Sequence, residues 1–484
     1  MIVTEEKNNE VKSGLKLNVK TIVGVCIILA VIMVLAGVLT QTVPRGVYDV
    51  NEEGMIIDGT YHEIDFKLPV WKVIASPVLV FGSENIVTGI AIVLFIVLLG
   101  GTFLILDERN IMKYIMSVII NKFSDKKYIL LCSVIFVFMA LSSIAGVLEE
   151  TVTLVPLTVA IALSLGWDSL VGIIMSFGAV AFGFAAATFN PFNVVTVQKL
   201  ANIPVFSGLS MRLVLFALSY MVLVLFTMTY ARKIEKNPEK SICFETDKEQ
   251  REKYKLDDIN LYLNDANLKK ATKTFISFML GAIVCIVLDF VFSLSGYLSM
   301  GGMALLFTIG GLAAGKVSGL KGKDLFKSFG RGIKTIAPAL PLILFILCIT
   351  FILQEGKIVD TILYKVYGMI DGVSPYIAVL MIFVFVALLE FFIGSGTAKA
   401  FLIMPIIAPL SQLVGISGNS LVLTYCMADG FTNLLYPTSG LIIIAIGLVN
   451  VTYGKWLKFS WKLFAGQLIV SVAVMFFSIF IGYH

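Results

Sequence analysis

Apolar stretches about as long as a bilayer is thick recur along the whole chain, and short polar segments separate them. A helix needs ~20 predominantly apolar residues to cross the hydrocarbon core of a membrane. The pattern therefore predicts an all-α polytopic membrane protein whose main surroundings are the lipid bilayer. The predicted full spans are 20–41, 85–106, 211–231, 274–292, 299–316, 335–353 and 462–482.

Two further apolar stretches, 128–165 and 375–413, are each long enough for two helices and have a polar break at the centre. The first break is 146–151 (GVLEET) and the second is 394–399 (GSGTAK). Non-helical backbone at membrane depth survives only where it is buried in protein or lines a wet cavity. We therefore expect two re-entrant hairpins, the first entering from the cytoplasm and the second from outside.

Each predicted hairpin is followed by an apolar span that a proline interrupts, 169–200 at Pro191 and 419–450 at Pro437. Proline lacks an N–H group and clashes with the preceding helical turn, so carbonyl groups are left free at that point. These two spans are therefore predicted to be broken helices.

The order of tip, proline, glycine, broken helix, proline and glycine occurs twice, at a nearly constant offset, and the two hairpins enter from opposite faces. Such an inverted repeat is common in secondary transporters. We expect a cytoplasmic segment 1–19, a first half 20–231, a solvated cytoplasmic linker 232–273 and a second half 274–484. The matching landmarks are Pro156 with Pro405, Gly166 with Gly415, Pro191 with Pro437, and Gly208 with Gly454.

Lysine and arginine content alternates between successive loops, which predicts the topology because cytoplasmic loops are enriched in these residues. The N-terminus is then cytoplasmic in a multi-pass protein of the inner (plasma) membrane. Short amphipathic runs near 111–120 and 322–334 are expected on the cytoplasmic surface. The predicted inside loops are 107–127, 231–273, 316–334 and 452–462, and the outside loops are 42–84, 201–211, 293–299 and 354–374.

The composition of the chain argues against several classes of protein. The chain has 58% hydrophobic and only 14% charged residues, whereas soluble domains carry about 25% charged residues. The net charge of +5 reflects basic cytoplasmic loops and gives no reason to expect a nucleic-acid partner. With two histidines, six scattered cysteines and no CxxC or Walker A motif, we expect neither an enzyme nor a resident cofactor or metal site.

Ionisable residues at membrane depth are costly and mark functional sites by default. Those at the predicted breaks are Glu149, Glu150, Glu390, Lys399 and Asp429. The alternative to a binding role is internal pairing that stabilises the hairpins, for example between Lys399 and a carboxylate.

Helix ends at the breaks are a second source of ligands. A helix N-terminus suits a carboxylate, and freed carbonyl groups suit a cation such as sodium, which we expect as a possible coupling ion. Any single Asn or Ser in a membrane helix is otherwise common as interhelical glue. The predicted substrate- and ion-binding residues are Glu149, Glu150, Thr151, Asn190, Pro191, Asn193, Ser395, Gly396, Thr397, Lys399, Asp429, Asn433, Pro437, Thr438 and Ser439.

Over nearly its whole length the chain resembles the YfcC-like branch of the DcuC anaerobic carrier family, within the ion transporter superfamily. The resemblance implies an elevator-type transporter, usually a homodimer, with the solute between the two tips and the two broken helices. The chain departs from its relatives near Glu390, Gly394 and Lys399, where Asn, Pro and Gln are expected. The matching stretches are 43–48, 59–61, 149–151, 189–192, 391–396, 429–433, 437–440 and 453–459.

The resulting hypothesis is a secondary active transporter, symporter or exchanger, of a small carboxylate-bearing solute. Acidic residues outnumber basic ones at the breaks, which favours a basic amino acid or short peptide over the alternative, a four-carbon dicarboxylate. If the acids are protonated, they indicate proton coupling and this preference disappears. A passive channel is the alternative of another class, because broken helices also line pores.

Overall fold

The computed structural model describes residues 19–49, 57, 59–83, 86–204, 207–254, 259–292, 297–370 and 372–483. The predicted segment 1–19, except Val19, and most of the predicted outer loop 293–299 lie outside the described residues. The first elements are α1 (Val19–Thr42), β1 (Gly46–Val47), β2 (His62–Glu63), α2 (Val70–Ile74), α3 (Ser76–Leu79), α4 (Ile86–Glu108) and α5 (Ile111–Phe123).

The region of the first predicted hairpin and broken helix contains five helices, and a sixth helix follows it. A six-residue 3-10 segment, Glu149–Leu154, lies at the first break, and a π turn, Ile174–Gly178, joins two of the helices. A second π turn, Pro191–Val195, begins at the predicted proline. The helices are α6 (Lys127–Ala145), α7 (Val155–Ser164), α8 (Ser169–Ile173), α9 (Ala179–Ala185), α10 (Thr196–Leu200) and α11 (Leu209–Lys236).

The linker and the second half are also helical. They contain α12 (Phe244–Tyr254), α13 (Ile259–Leu263), α14 (Ala266–Phe292), α15 (Tyr297–Val317), α16 (Gly322–Ile336), α17 (Leu340–Glu355), α18 (Val359–Ile370), α19 (Pro375–Glu390), α20 (Gly396–Leu413), α21 (Gly418–Thr432), α22 (Gly440–Leu448) and α23 (Tyr453–Phe480). Short 3-10 turns occur at Val80–Gly82, Ser124–Lys126, Pro238–Lys240 and Ala337–Ala339.

The helix boundaries follow the apolar pattern. Six of the seven predicted full spans each correspond to one long helix. The span 335–353 is instead divided by the 3-10 turn Ala337–Ala339, after which α17 has 16 residues. All four predicted breaks interrupt helices. Among the described residues, α6, α11, α20 and α23 are long and apolar enough to cross a membrane. Two of these, α6 and α20, are arms of the predicted hairpins. Helix length does not separate a re-entrant arm from a full span, so the re-entrant interpretation stays a prediction.

Two of the predicted outer loops, 42–84 and 354–374, contain short elements. Strand β1 pairs antiparallel with β2, with Gly46 opposite Glu63, which is a small departure from an all-α fold. Tyr61 on this hairpin stacks on Tyr364 of α18, with ring centroids 4.1 Å apart. The backbone N–H of Tyr48 donates to the Asp360 carboxylate at 3.2 Å. The predicted outer loops 42–84 and 354–374 therefore pack against each other.

The helices form two packing groups, and each group takes helices from both halves of the chain. One group contains α1, α4, α14, α15, α16 and α17. The other contains α6 to α11 and α19 to α23, with all four breaks. Contacts between the groups are few and include α22 against α1 and α17, and α6 against α14. The breaks are therefore held within one of the two groups.

Most charged side chains of the described part of the linker are exposed, but some of its polar side chains pack against the helices. Asp247 on α12 is buried and accepts hydrogen bonds from the Ser169 N–H at 2.8 Å and the Ser169 hydroxyl at 2.7 Å. Ser241 donates to the Asp168 carboxylate at 2.7 Å, and Gln250 donates to the Val449 carbonyl at 3.0 Å. Polar linker side chains therefore satisfy backbone groups at the α7–α8 turn and at the end of α22.

The linker contact predicts a pH dependence. Burial raises the pKa of Asp247 to about 6, opposed by the hydrogen bonds from Ser169; the neighbouring Asp168 raises the pKa further, and Arg251 lowers it. Lys455 also faces this helix, through Thr246 at 3.3 Å. Because the unfolded carboxyl titrates near pH ~3.9, the folded state binds the extra proton between about pH 4 and 6. The free energy of unfolding should therefore fall by up to about 1.4 kcal/mol per pH unit as the pH rises through that window.

Thermal unfolding of the detergent-solubilised protein at several pH values measures this effect, with Asp247→Asn as the matched variant. We expect the wild type to gain stability relative to the variant as the pH falls from 7 to 5. A difference between the two proteins that does not change with pH would contradict the assignment.

Candidate functional site

The four predicted breaks lie against one another. At the first tip, Gly146 ends α6 in the left-handed conformation (φ 74°), and a Cβ atom there would lie 2.6 Å from the Asn190 Oδ1 atom. At the second tip, the Thr397 hydroxyl donates to the Phe192 carbonyl at 3.0 Å. Both tips therefore contact the break of the first broken helix. The 3-10 segment of the first tip also packs on α22.

A close helix crossing joins the two broken helices. A Cβ atom at Gly430 on α21 would lie 2.3 Å from the Cα atom of Ala185 on α9, so only glycine allows this approach. Beside it, the rings of Phe182 and Phe431 meet edge to face, with centroids 5.4 Å apart. The crossing places both breaks at the same level of the helix group.

A buried ion group lies at the second tip. The Lys399 ammonium forms an ion pair with Glu390, and its Nζ lies 2.7 Å from the Asp429 Oδ1 atom. All three side chains are at most 4% exposed. Glu390 ends α19 and Lys399 lies in the first turn of α20, so the group joins both arms of the tip to α21. The internal pairing considered from the sequence is therefore present.

This ion group is incomplete in one respect. The Asp429 Oδ2 atom is buried and has no hydrogen-bond partner among the described residues. It lies against Gly396 at the N-terminus of α20, where a Cβ atom would be 2.7 Å away. Buried carboxylate oxygens are costly to leave unpaired. The free oxygen is therefore an acceptor next to unpaired helix N–H groups.

Other predicted residues near the second tip and the first break have defined local partners. The Ser395 hydroxyl caps α20 by accepting from the Ala398 N–H at 3.3 Å, and Ser395 is exposed. Asn190 accepts from the Phe192 N–H at 2.8 Å, while its Nδ2 has no partner among the described residues. Asn193 is buried and donates to the Phe184 carbonyl at 3.1 Å, which is a bond that stabilises the break itself.

The second break shows a similar arrangement. Asn433 donates to the Asp429 carbonyl at 3.0 Å, and the Ser439 hydroxyl donates to the Asn433 Oδ1 at 3.3 Å. The Thr438 hydroxyl is buried, and no partner for it occurs in the described part of the chain. Pro437 is half-buried within this break. Thr438 is therefore the residue of this group with an uncommitted polar atom.

The first tip is less fully defined. The Thr151 hydroxyl donates to the Leu148 carbonyl at 2.8 Å, and Glu149 is half-buried. The side chains of Glu150 and Pro191 lie outside what the structure describes. The predicted binding roles of these residues stay predictions.

Two residues of this region were missed from the sequence. The Tyr425 hydroxyl donates to the Gly396 carbonyl, and Tyr425 precedes Asp429 by four residues on α21, a spacing that places both on one helix face. Arg212, in the first turn of α11, is buried, and none of its three guanidinium nitrogens has a hydrogen-bond partner among the described residues. Arg212 is therefore a buried basic residue that was not among the ionisable residues predicted at the breaks.

The two tip glycines give a matched stability test. Gly396→Ala places a methyl group against the Asp429 carboxylate, whose other oxygen is held by Lys399, so the ion pair has to move. We expect a loss of about 1–3 kcal/mol, as for other overpacked sites. Gly394→Ala meets nothing closer than 3.9 Å, and this variant should stay within about 0.5 kcal/mol.

Thermal unfolding of both purified variants measures the difference. An unchanged melting temperature for Gly396→Ala would show that the Asp429 carboxylate does not lie against the helix terminus.

Two bacterial proteins are similar to this chain over most of its length. The chain is 28% identical over 415 residues to the Escherichia coli protein described as "Putative basic amino acid antiporter YfcC", covering 82% of this chain and 79% of the relative. It is 25% identical over 410 residues to an uncharacterized Haemophilus influenzae protein, covering 82% and 78%.

Two solved transporters align at low similarity. The Alcanivorax borkumensis YdaH transporter has a TM-score of 0.46 and 17% identity, covering 96% of this chain and 98% of that one. Neisseria gonorrhoeae MtrF, from a class described as antimetabolite efflux pumps, has a TM-score of 0.43 and 18% identity, covering 96% and 95%. Residues 23–480 match the DcuC family, described as "C4-dicarboxylate anaerobic carrier". The resemblance seen in the sequence is therefore confirmed, and the chain belongs to the DcuC family.

Proposed function

We propose that this protein is a secondary active transporter that exchanges small carboxylate-bearing solutes, with a basic amino acid or short peptide favoured. The observation that carries the proposal is the ion group of Lys399, Glu390 and Asp429. It lies where the breaks meet and leaves one Asp429 oxygen unpaired beside the N-terminus of α20. Family membership supports the transport class.

An amino acid matches the uncommitted groups of this site. The first N–H groups of α20, at Gly396 and Thr397, have no acceptor within their own helix and suit a carboxylate. The Asn190 Nδ2 atom is a further free donor, and it belongs to the break that Thr397 contacts through the Phe192 carbonyl. The free oxygen of Asp429 suits the cationic group of the solute. One solute with both charges would therefore satisfy both sides of the site.

A four-carbon dicarboxylate is the second candidate, favoured by the description of the family. From the sequence, Lys399 and the helix ends were the evident positive groups for such a solute. In the structure Lys399 already contacts two carboxylates, so a dicarboxylate would have to compete with them. The charge balance therefore supports the basic solute, as does the description of the Escherichia coli relative.

The elevator mechanism, the inverted repeat, the homodimer and the cytoplasmic N-terminus are parts of the proposal. The elevator mechanism is supported by the division of helices into two packing groups, one of which holds all four breaks. In an elevator, that group would slide against the other and carry the solute across the bilayer.

Exchange in proteoliposomes tests the function. Vesicles loaded with arginine or with succinate receive the labelled solute outside, and uptake is measured with and without the internal solute. We expect saturable uptake that depends on internal arginine. A passive channel would instead give uptake without internal solute, and uptake driven only by succinate would assign the dicarboxylate.

Asp429→Asn tests the site within the same assay. Removing this charge should lower arginine exchange by about tenfold or more, since a desolvated charge contact is worth roughly 1.5–3 kcal/mol. Glu252→Gln neutralises an exposed acid on α12 and is the matched control. A folded Asp429→Asn protein that exchanges arginine like the control would contradict the assigned site.

A further inference from the structure

The surroundings of the Lys399 ammonium are those of a bound cation. Two carboxylates face it, from Glu390 and Asp429, and the Ile393 carbonyl lies 3.4 Å away at the unwound tip. In transporters with broken helices, unwound carbonyl groups and helix ends commonly coordinate the coupling ion. Here the position is filled by a side chain of the protein itself.

From this geometry, and resting on the proposed function, we infer that Lys399 is a tethered counter-cation that replaces a coupling ion. Because it is attached to the first turn of α20, it cannot be released on either side of the membrane. It therefore neutralises one carboxylate throughout the cycle and takes no energy from a sodium gradient. Transport then depends on the solute gradients alone.

The charge balance also makes the exchange obligatory. With Glu390, Asp429 and Lys399 ionised, the empty site carries one net negative charge. A buried, uncompensated charge is costly at membrane depth, so the empty site resists crossing. A solute with one net positive charge neutralises the site and removes this penalty. Each crossing therefore requires a bound cationic solute. Because the site returns only when it is loaded, one solute leaves for each one that enters.

The position offers few other sources of compensation. In the described part of the chain, Lys399 is the cation within ion-pair distance of Glu390 or Asp429. Arg212 is buried but forms no ion pair with them in the structure. Removing the Lys399 charge should therefore leave two carboxylates that need an external cation.

A charge series tests the inference. Arginine exchange is measured in proteoliposomes with sodium chloride or choline chloride, for the wild type, Lys399→Gln and the double variant Glu390→Gln/Lys399→Gln. We expect the wild type and the double variant, each with one net negative charge, to differ by less than about twofold between the two salts. The site of Lys399→Gln carries two net negative charges. We expect its exchange rate to be about tenfold or more higher in sodium chloride than in choline chloride, because an unpaired buried charge is costly.

Thermal unfolding provides a readout that does not depend on transport. Sodium chloride should raise the melting temperature of purified Lys399→Gln relative to choline chloride, and it should leave the wild type and the double variant unchanged. If Lys399→Gln does not fold in choline chloride and is recovered by sodium, that result supports the same inference.

Two results would overturn it. One is a wild type that requires sodium for exchange or is stabilised by it, and the other is a folded Lys399→Gln protein that responds to sodium no more than the wild type. Failure of the proposed function gives a different result. The wild type would then exchange neither arginine nor succinate in either salt, while the sodium response of the Lys399→Gln melting temperature would still report on the tethered cation.

Discussion

The contact of one buried ammonium with two buried carboxylates holds the centre of this protein together. Lys399 connects the end of α19, the start of α20 and the last turn of α21. Burying three charged side chains has a high desolvation cost, and pairing offsets only part of it. The group is therefore better explained by a role in binding than by stability alone, since an apolar trio would suit stability better.

The ion group functions only because the helices around it approach closely. Glycine at position 430 lets α21 rest on the backbone of α9, and Gly146 turns the first tip towards Asn190. These contacts bring helix ends, with their unpaired N–H groups, to the place where a carboxylate oxygen is also free. The proposed site suits a solute with a carboxylate at one end and a cation at the other. In the proposed elevator mechanism, the packing group that holds this site would move as one body.

The helices and breaks were predictable because the apolar period, glycines and prolines act locally. The partners of Lys399 were not, since residues 390, 399 and 429 meet only through tertiary packing. The docking of Asp247 on Ser169 was missed because a charged linker has the same composition whether it is solvated or packed. Arg212 was missed because it lies at the edge of an apolar span, where a base usually faces the interface. The predicted repeat, topology and binding roles stay predictions.

The most direct test of the account is a cryo-electron microscopy structure of the protein in lipid nanodiscs with saturating arginine. We predict density for the solute between 395–397 and the free oxygen of Asp429, with Lys399 still in contact with Glu390. Arginine density at another place, with the surroundings of Asp429 unchanged from the solute-free protein, would contradict the assignment of this ion group as the transport site.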